Sequence, residues 1–170
     1  MENASKALIM AASVLLGLMI ISVGVALFNT FSEFSRDTLN KVEEKSIAEF
    51  NNNYIKYYGN ISSGKDGQEV IKPIPVTAHD IVSVANLAKQ NNEKYELENQ
   101  SSYDENTYYV QVQVEKETNF EKKTEKQKNA FLQENSLTEE NETKYYKCAE
   151  VKISEVTKRV MYIKFVEYEK

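Results

Sequence analysis

Two residues carry the side chains most used in nucleophilic, acid–base and metal chemistry, and each is alone of its kind: His79 and Cys148. A structural zinc site takes four Cys or His ligands and a catalytic one three protein ligands, so this pair is too few. One cysteine cannot build a disulfide framework. A Cys–His nucleophile pair would need both side chains in one place. Thr77-Ala78-His79-Asp80 reads instead as the opening of a helix, with His79 solvated in its first turn. Cys148 falls inside an alternating apolar segment and reads as a small packed side chain. Lys65-Asp66-Gly67 offers one acid where a calcium loop alternates several, and reads as a tight turn. Five glycines and two prolines leave no glycine-rich phosphate loop. No catalytic or metal constellation assembles, so a non-enzymatic chain is expected, with no cofactor and no evident small-molecule substrate.

Charge narrows the partners. One of the 21 basic and one of the 26 acidic residues (Lys6 and Glu2) lie in the first 28 positions, so the polar remainder carries the net charge of −5. Its signs are interspersed, as in Glu121-Lys122-Lys123 beside Glu125. No stripe of one sign could release many phosphate counterions, and no nucleic-acid partner is expected.

The elements that would carry function divide into three stretches: residues 1–28, 29–58 and 59–170. Residues 7–28 form 22 consecutive positions without a charge. As a helix they span roughly 33 Å at ~1.5 Å per residue, enough for a bilayer core near 30 Å. Only Lys6 precedes the run, the run exceeds the ~7–15 residues of a signal-peptide core, and no clear A-x-A site follows. A retained span is preferred to a cleaved secretory signal. Flanking charges do not assign orientation, since Arg36, Lys41 and Lys45 mix with Glu33, Asp37, Glu43 and Glu44. The carboxyl-terminal domain is expected outside the cell because the short amino-terminal tail crosses nothing. Ser13, Gly17 and Gly24 fall near one line of the helix and would let another helix approach closely.

From Val25 to Tyr58 neither glycine nor proline interrupts the chain. Leu39, Val42, Ser46/Ile47, Phe50, Tyr54 and Tyr57/Tyr58 recur every three or four positions, an apolar face. The spacing predicts one helix from about residue 6 to about residue 58, capped at Gly59-Asn60, with a break near Asn29-Thr30 or Ser35 as the alternative. Leu39, Val42, Phe50 and Tyr54 are the expected contacts between this helix and a carboxyl-terminal sheet. Glycine and proline between 59 and 75 mark a boundary. Thr77 and Asp80 form an approximate capping box for a helix over 81–90. Residues 91–106 read as a polar loop. Over 107–116, Tyr108, Val110, Val112 and Val114 alternate with Tyr109, Gln111, Gln113 and Glu115, a half-buried strand. Over 119–134, Phe120, Thr124 and Phe131/Leu132 fit either a surface helix or an ordered loop. Residues 143–153 and 156–168 read as an antiparallel hairpin whose last strand is apolar on both faces and therefore central. The fold class expected is α+β, with a three-stranded sheet against the long helix.

A long amino-terminal helix, apolar then amphipathic, followed by a small antiparallel sheet resembles a type IV pilin or a related pilin-like protein. The stretch Asn3-Ala-Ser-Lys-Ala-Leu-Ile-Met10 also resembles small pilin-like envelope proteins of low-GC Gram-positive bacteria. The resemblance implies a clipped leader, and Lys6-Ala7-Leu8 resembles the charged-then-small cleavage site of archaeal-type pilin leaders. It implies a filament core built from apolar helices, with copies of the chain or related pilin-like subunits as partners beside the lipid bilayer. Ser13, Gly17, Gly24, Leu15, Leu16, Leu18 and Ile20 would then carry assembly. The sequence has no Gly-Phe processing site, no glutamate five residues into a mature chain and no cysteine pair, so the usual Glu-to-amino-terminus pairing is not implied. Two roles follow as expectations: a membrane-anchored subunit of a surface filament, or a monomeric single-pass ectodomain that binds or senses through the region Tyr103 to Tyr109.

Overall fold

The computed structural model describes residues 2–63, 70–136 and 144–168. The chain forms two compact units divided between Ser46 and Ile47. Helix α1, Glu2–Ile55, is unbroken across Asn29, Thr30 and Ser35. Without proline, and with glycine only at Gly17 and Gly24, nothing in it withholds a backbone donor or forces a turn. Exposed i,i+4 pairs join Lys6 to Glu2 at 3.1 Å and Lys41 to Asp37 at 3.0 Å. The helix ends three residues before the expected position. Amides of Tyr57 and Tyr58 bond the carbonyls of Tyr54 and Ile55, and Gly59 at φ 133° turns the chain through a conformation closed to other residues.

The second unit is α+β, with two small sheets among its described residues. Strands β1 (Asn60–Ser63) and β2 (Val70–Pro73) pair antiparallel, from Asn60 opposite Pro73 to Ser63 opposite Val70. The sequence presents this segment as a boundary loop; too short to alternate, it gives no strand period. The predicted turn at Lys65-Asp66-Gly67 lies outside the described residues, as does Thr143 at the predicted start of a strand. Helix α2 (Ala78–Lys94) starts with the expected capping box: Thr77 Oγ1 accepts from the Asp80 amide, and the Asp80 carboxylate accepts from the Thr77 amide. It then runs four residues beyond Gln90. Asn91 and Asn92, which suggest a loop, are buried and bonded to Tyr108 and Val110.

The larger sheet has the order β3-β5-β4, with β3 at Gln111–Val114, β4 at Tyr145–Ile153 and β5 at Val160–Tyr168. Strand β5 is central, as its two apolar faces predict. It pairs antiparallel with β4 but parallel with β3, with Gln111 opposite Tyr162 and Val114 opposite Phe165, so the expected all-antiparallel sheet is corrected to a mixed one. A parallel neighbour needs a long crossover. Here the crossover contains the 3₁₀ turn Phe120–Lys122, helix α3 (Glu125–Ser136) and β4. The half-buried reading of 107–116 holds for buried Val110, Val112 and Val114 on one face and for half-buried Gln113 and exposed Glu115 on the other, but Tyr109 and Gln111 on that second face are buried as well. Their polar ends pair with covering groups instead of water.

The core joins Tyr54, Val76, Ile81, Val84, Ala85 and Ala88 to the apolar residues of β3 and β5, with Phe120 and Tyr146 beside them. Phe50 and Ile55 pack against it. Of the four residues expected to meet the sheet, Phe50 and Tyr54 belong to the second unit, while Leu39 and Val42 belong to the first.

Candidate functional site

The first candidate surface is the apolar stretch of α1, taken by itself. Its hydroxyls are satisfied inside the helix. Ser13 Oγ donates to the Ile9 carbonyl at 2.6 Å, Ser22 to Leu18 at 2.8 Å and Thr30 to Ala26 at 3.0 Å. Such back-bonding leaves an apolar exterior without unpaired donors, as hydrocarbon requires. Leu15, Leu16, Leu18 and Ile20 are all more than half exposed. A methyl group built on Gly17 or Gly24 meets nothing within 4 Å. Glycine lowers helix stability relative to alanine, and nothing within the unit requires it there. Lys6, Ala7 and Leu8 sit in regular, exposed helix. The helix is long and apolar enough to cross a membrane.

Among the described residues of the second unit, three clusters of polar side chains stand out. Glu121, fully buried, accepts from the Tyr109 hydroxyl at 2.7 Å and from the Val112 amide at 2.9 Å. Burial, then the Glu121 carboxylate, push the Tyr109 phenol well above its usual range. Asn119, in the left-handed region at φ 58°, accepts from Gln111 Nε2 at 2.9 Å. Beside α2, the Asn92 carboxamide takes the place of a strand: Oδ1 accepts from the Val110 amide at 2.8 Å and Nδ2 donates to its carbonyl at 2.9 Å. Lys128 is buried with Nζ donating to Asn86 Oδ1 at 2.6 Å, and burial lowers its pKa.

The third cluster surrounds cations with aromatic rings. Lys152 Nζ donates to the Tyr103 hydroxyl at 2.7 Å and lies 5.4 Å from the Tyr162 ring centre. The Arg159 guanidinium sits 3.9 Å from the ring centre of Phe50, with Tyr108 and Tyr95 at 5.2 and 5.3 Å. Asn51 bonds the residues on either side of Arg159: its Nδ2 donates to the Lys158 carbonyl and its Oδ1 accepts from the Val160 amide, both at 2.8 Å. Of the segment Tyr103 to Tyr109, Tyr108 keeps an exposed face while Tyr109 is fully buried.

His79 is exposed at the start of α2 and Cys148 is half-buried on β4. Burial pushes the Cys148 thiol up to about 12. Among the described residues no group of three His, Cys, Asp or Glu could hold a metal ion. Sequence reasoning missed the clusters around Arg159, Asn92 and Glu121. The signal available was slight: a pair of asparagines flanked by Lys89 and Glu93, and one of two arginines, next to Lys158. No protein-family model, curated protein or solved structure matches this chain.

Proposed function

We propose that the chain is a pilin-like structural subunit, anchored in a bilayer by the apolar part of α1 until that helix packs against copies of itself in a surface filament. The observation that supports this is the uncharged stretch of α1, exposed on all sides with its hydroxyls internally satisfied. In lipid, helices associate through close backbone approach at small residues. Gly17 and Gly24, which serve no contact within their own unit, supply that approach. The α+β unit then forms the outer surface, with its carboxyl-terminal end outside the cell.

The test is to shear cells and analyse the released material for polymers of the chain. Gly17→Leu fills the approach surface and is expected to abolish polymers while leaving the second unit's near-ultraviolet circular dichroism unchanged. Normal polymers from that variant would overturn helix packing at Gly17. A chain found only as monomer in the membrane fraction would favour the tethered ectodomain.

A further inference from the structure

Arg159 has an unusual set of partners. Nη1 donates to the Tyr95 hydroxyl at 2.8 Å and Nη2 to Asn91 Oδ1 at 3.1 Å, both neutral groups. Its Nε–H is buried without an acceptor, and so is the hydroxyl of Tyr54, a residue 1% exposed. A buried donor without a partner costs free energy that folded proteins seldom leave unrecovered. Both residues line one cavity of about 210 Å³, together with Phe50, Asn53, Gln90 and Lys94. That volume is below the ~300–1,000 Å³ that holds drug-sized ligands, so the occupant is small. Arg159 and Lys94 are the charged residues of its lining, and no carboxylate lines it. In a chain with 26 acidic against 21 basic residues, this is a local excess of positive charge.

We propose that this cavity binds a small organic anion, a carboxylate on a planar or apolar body. Parting of the side chains that cover Arg159 Nε and the Tyr54 hydroxyl lets the carboxylate accept hydrogen bonds from both, Lys94 adds attraction at the rim, and the Phe50 ring packs on the body. A guanidinium matches carboxylate geometry, and a low-dielectric wall strengthens the pairing. The inference is independent of filament assembly.

Benzoate is the probe, with benzamide as its neutral counterpart. The full chain in zwitterionic detergent, ¹⁵N-labelled and carrying Arg36→Lys, retains one arginine Nε–H signal, that of Arg159. Benzoate at constant ionic strength should move this signal saturably, with a Kd of about a millimolar, a modest affinity suited to so small a ligand. Benzamide should bind at least about tenfold more weakly, since it carries no charge to pair with the guanidinium. Tyr54→Phe keeps the ring and removes the unpartnered hydroxyl; it should leave the protein folded and weaken benzoate about fivefold, the scale of one lost hydrogen bond. Lys94→Gln, at an exposed position, should weaken it about two- to fivefold, as for a solvent-exposed charge. A signal unmoved at about ten times that Kd, equal responses to benzoate and benzamide, or unchanged affinity in both variants would overturn the proposal in favour of a water-filled cavity around a structural arginine.

Discussion

Asn92→Ala removes a side chain that bonds both main-chain polar groups of Val110. Val110 is fully buried, so water cannot replace either bond. Leaving a buried backbone group unsatisfied costs ~1–3 kcal/mol, and two such groups with partial relaxation give an expected loss of ~3 kcal/mol. The assay is urea unfolding of the full chain in detergent, followed by tyrosine circular dichroism in the near ultraviolet, which reports the second unit. With a slope of ~2 kcal/mol per molar urea, the midpoint should fall by about 1.5 M. Asn92→Asp sharpens the test. A carboxylate there still accepts from the Val110 amide but faces the Val110 carbonyl without a donor. Burial raises the pKa of such a group in the folded state, so the protonated form, which can donate, is the favoured one. Its penalty is therefore full above the raised folded pKa and shrinks as pH falls toward the unfolded value of ~3.9. An Asn92→Ala midpoint within about 0.25 M of the parent, or an Asn92→Asp penalty independent of pH, would refute the claim that this carboxamide substitutes for a strand.

Two further outcomes follow from burial. Of the eleven tyrosines, Tyr109 and Tyr54 should stay protonated in an alkaline spectrophotometric titration until the protein unfolds. Because their folded-state pKa values are raised, chiefly by burial, their contribution to stability is complete below the unfolded value of ~10 and declines above it; Tyr109→Phe should flatten that alkaline decline. Cys148, its thiol pushed up to about 12, should react with a disulfide reagent at pH 8 at least about tenfold more slowly in the folded protein than in urea.

Long-period features of this fold are legible in the sequence. The apolar run, the absence of breakers to Tyr58, the Thr77–Asp80 cap and the doubly apolar last strand each carry a local physical cause. What escapes is what depends on non-local polar pairing. Asn91 and Asn92 resemble loop residues until Tyr108 and Val110 are placed against them, so α2 runs longer than expected. Gln111 and Tyr109 occupy what reads as a solvent face until Asn119 and Glu121 cover it. The parallel pairing of β3 is invisible because strand direction leaves no mark on alternation. Leu39 and Val42 look like Phe50 and Tyr54 by spacing alone, and nothing local marks the division between Ser46 and Ile47.

The central position of β5 imposes an order of events during synthesis. It follows every other described strand in the chain, yet both β3 and β4 take their hydrogen bonds from it, and Asn51 waits on Lys158 and Val160. At ~5–20 residues per second, β3 stays without its neighbour for on the order of 3–10 s after it is made. Until then the nascent chain exposes sticky, half-finished edges. A ribosome stalled before Val160 would leave a product whose first segment can already enter a membrane while its larger sheet has no middle strand, a natural client for chaperones and quality-control proteases.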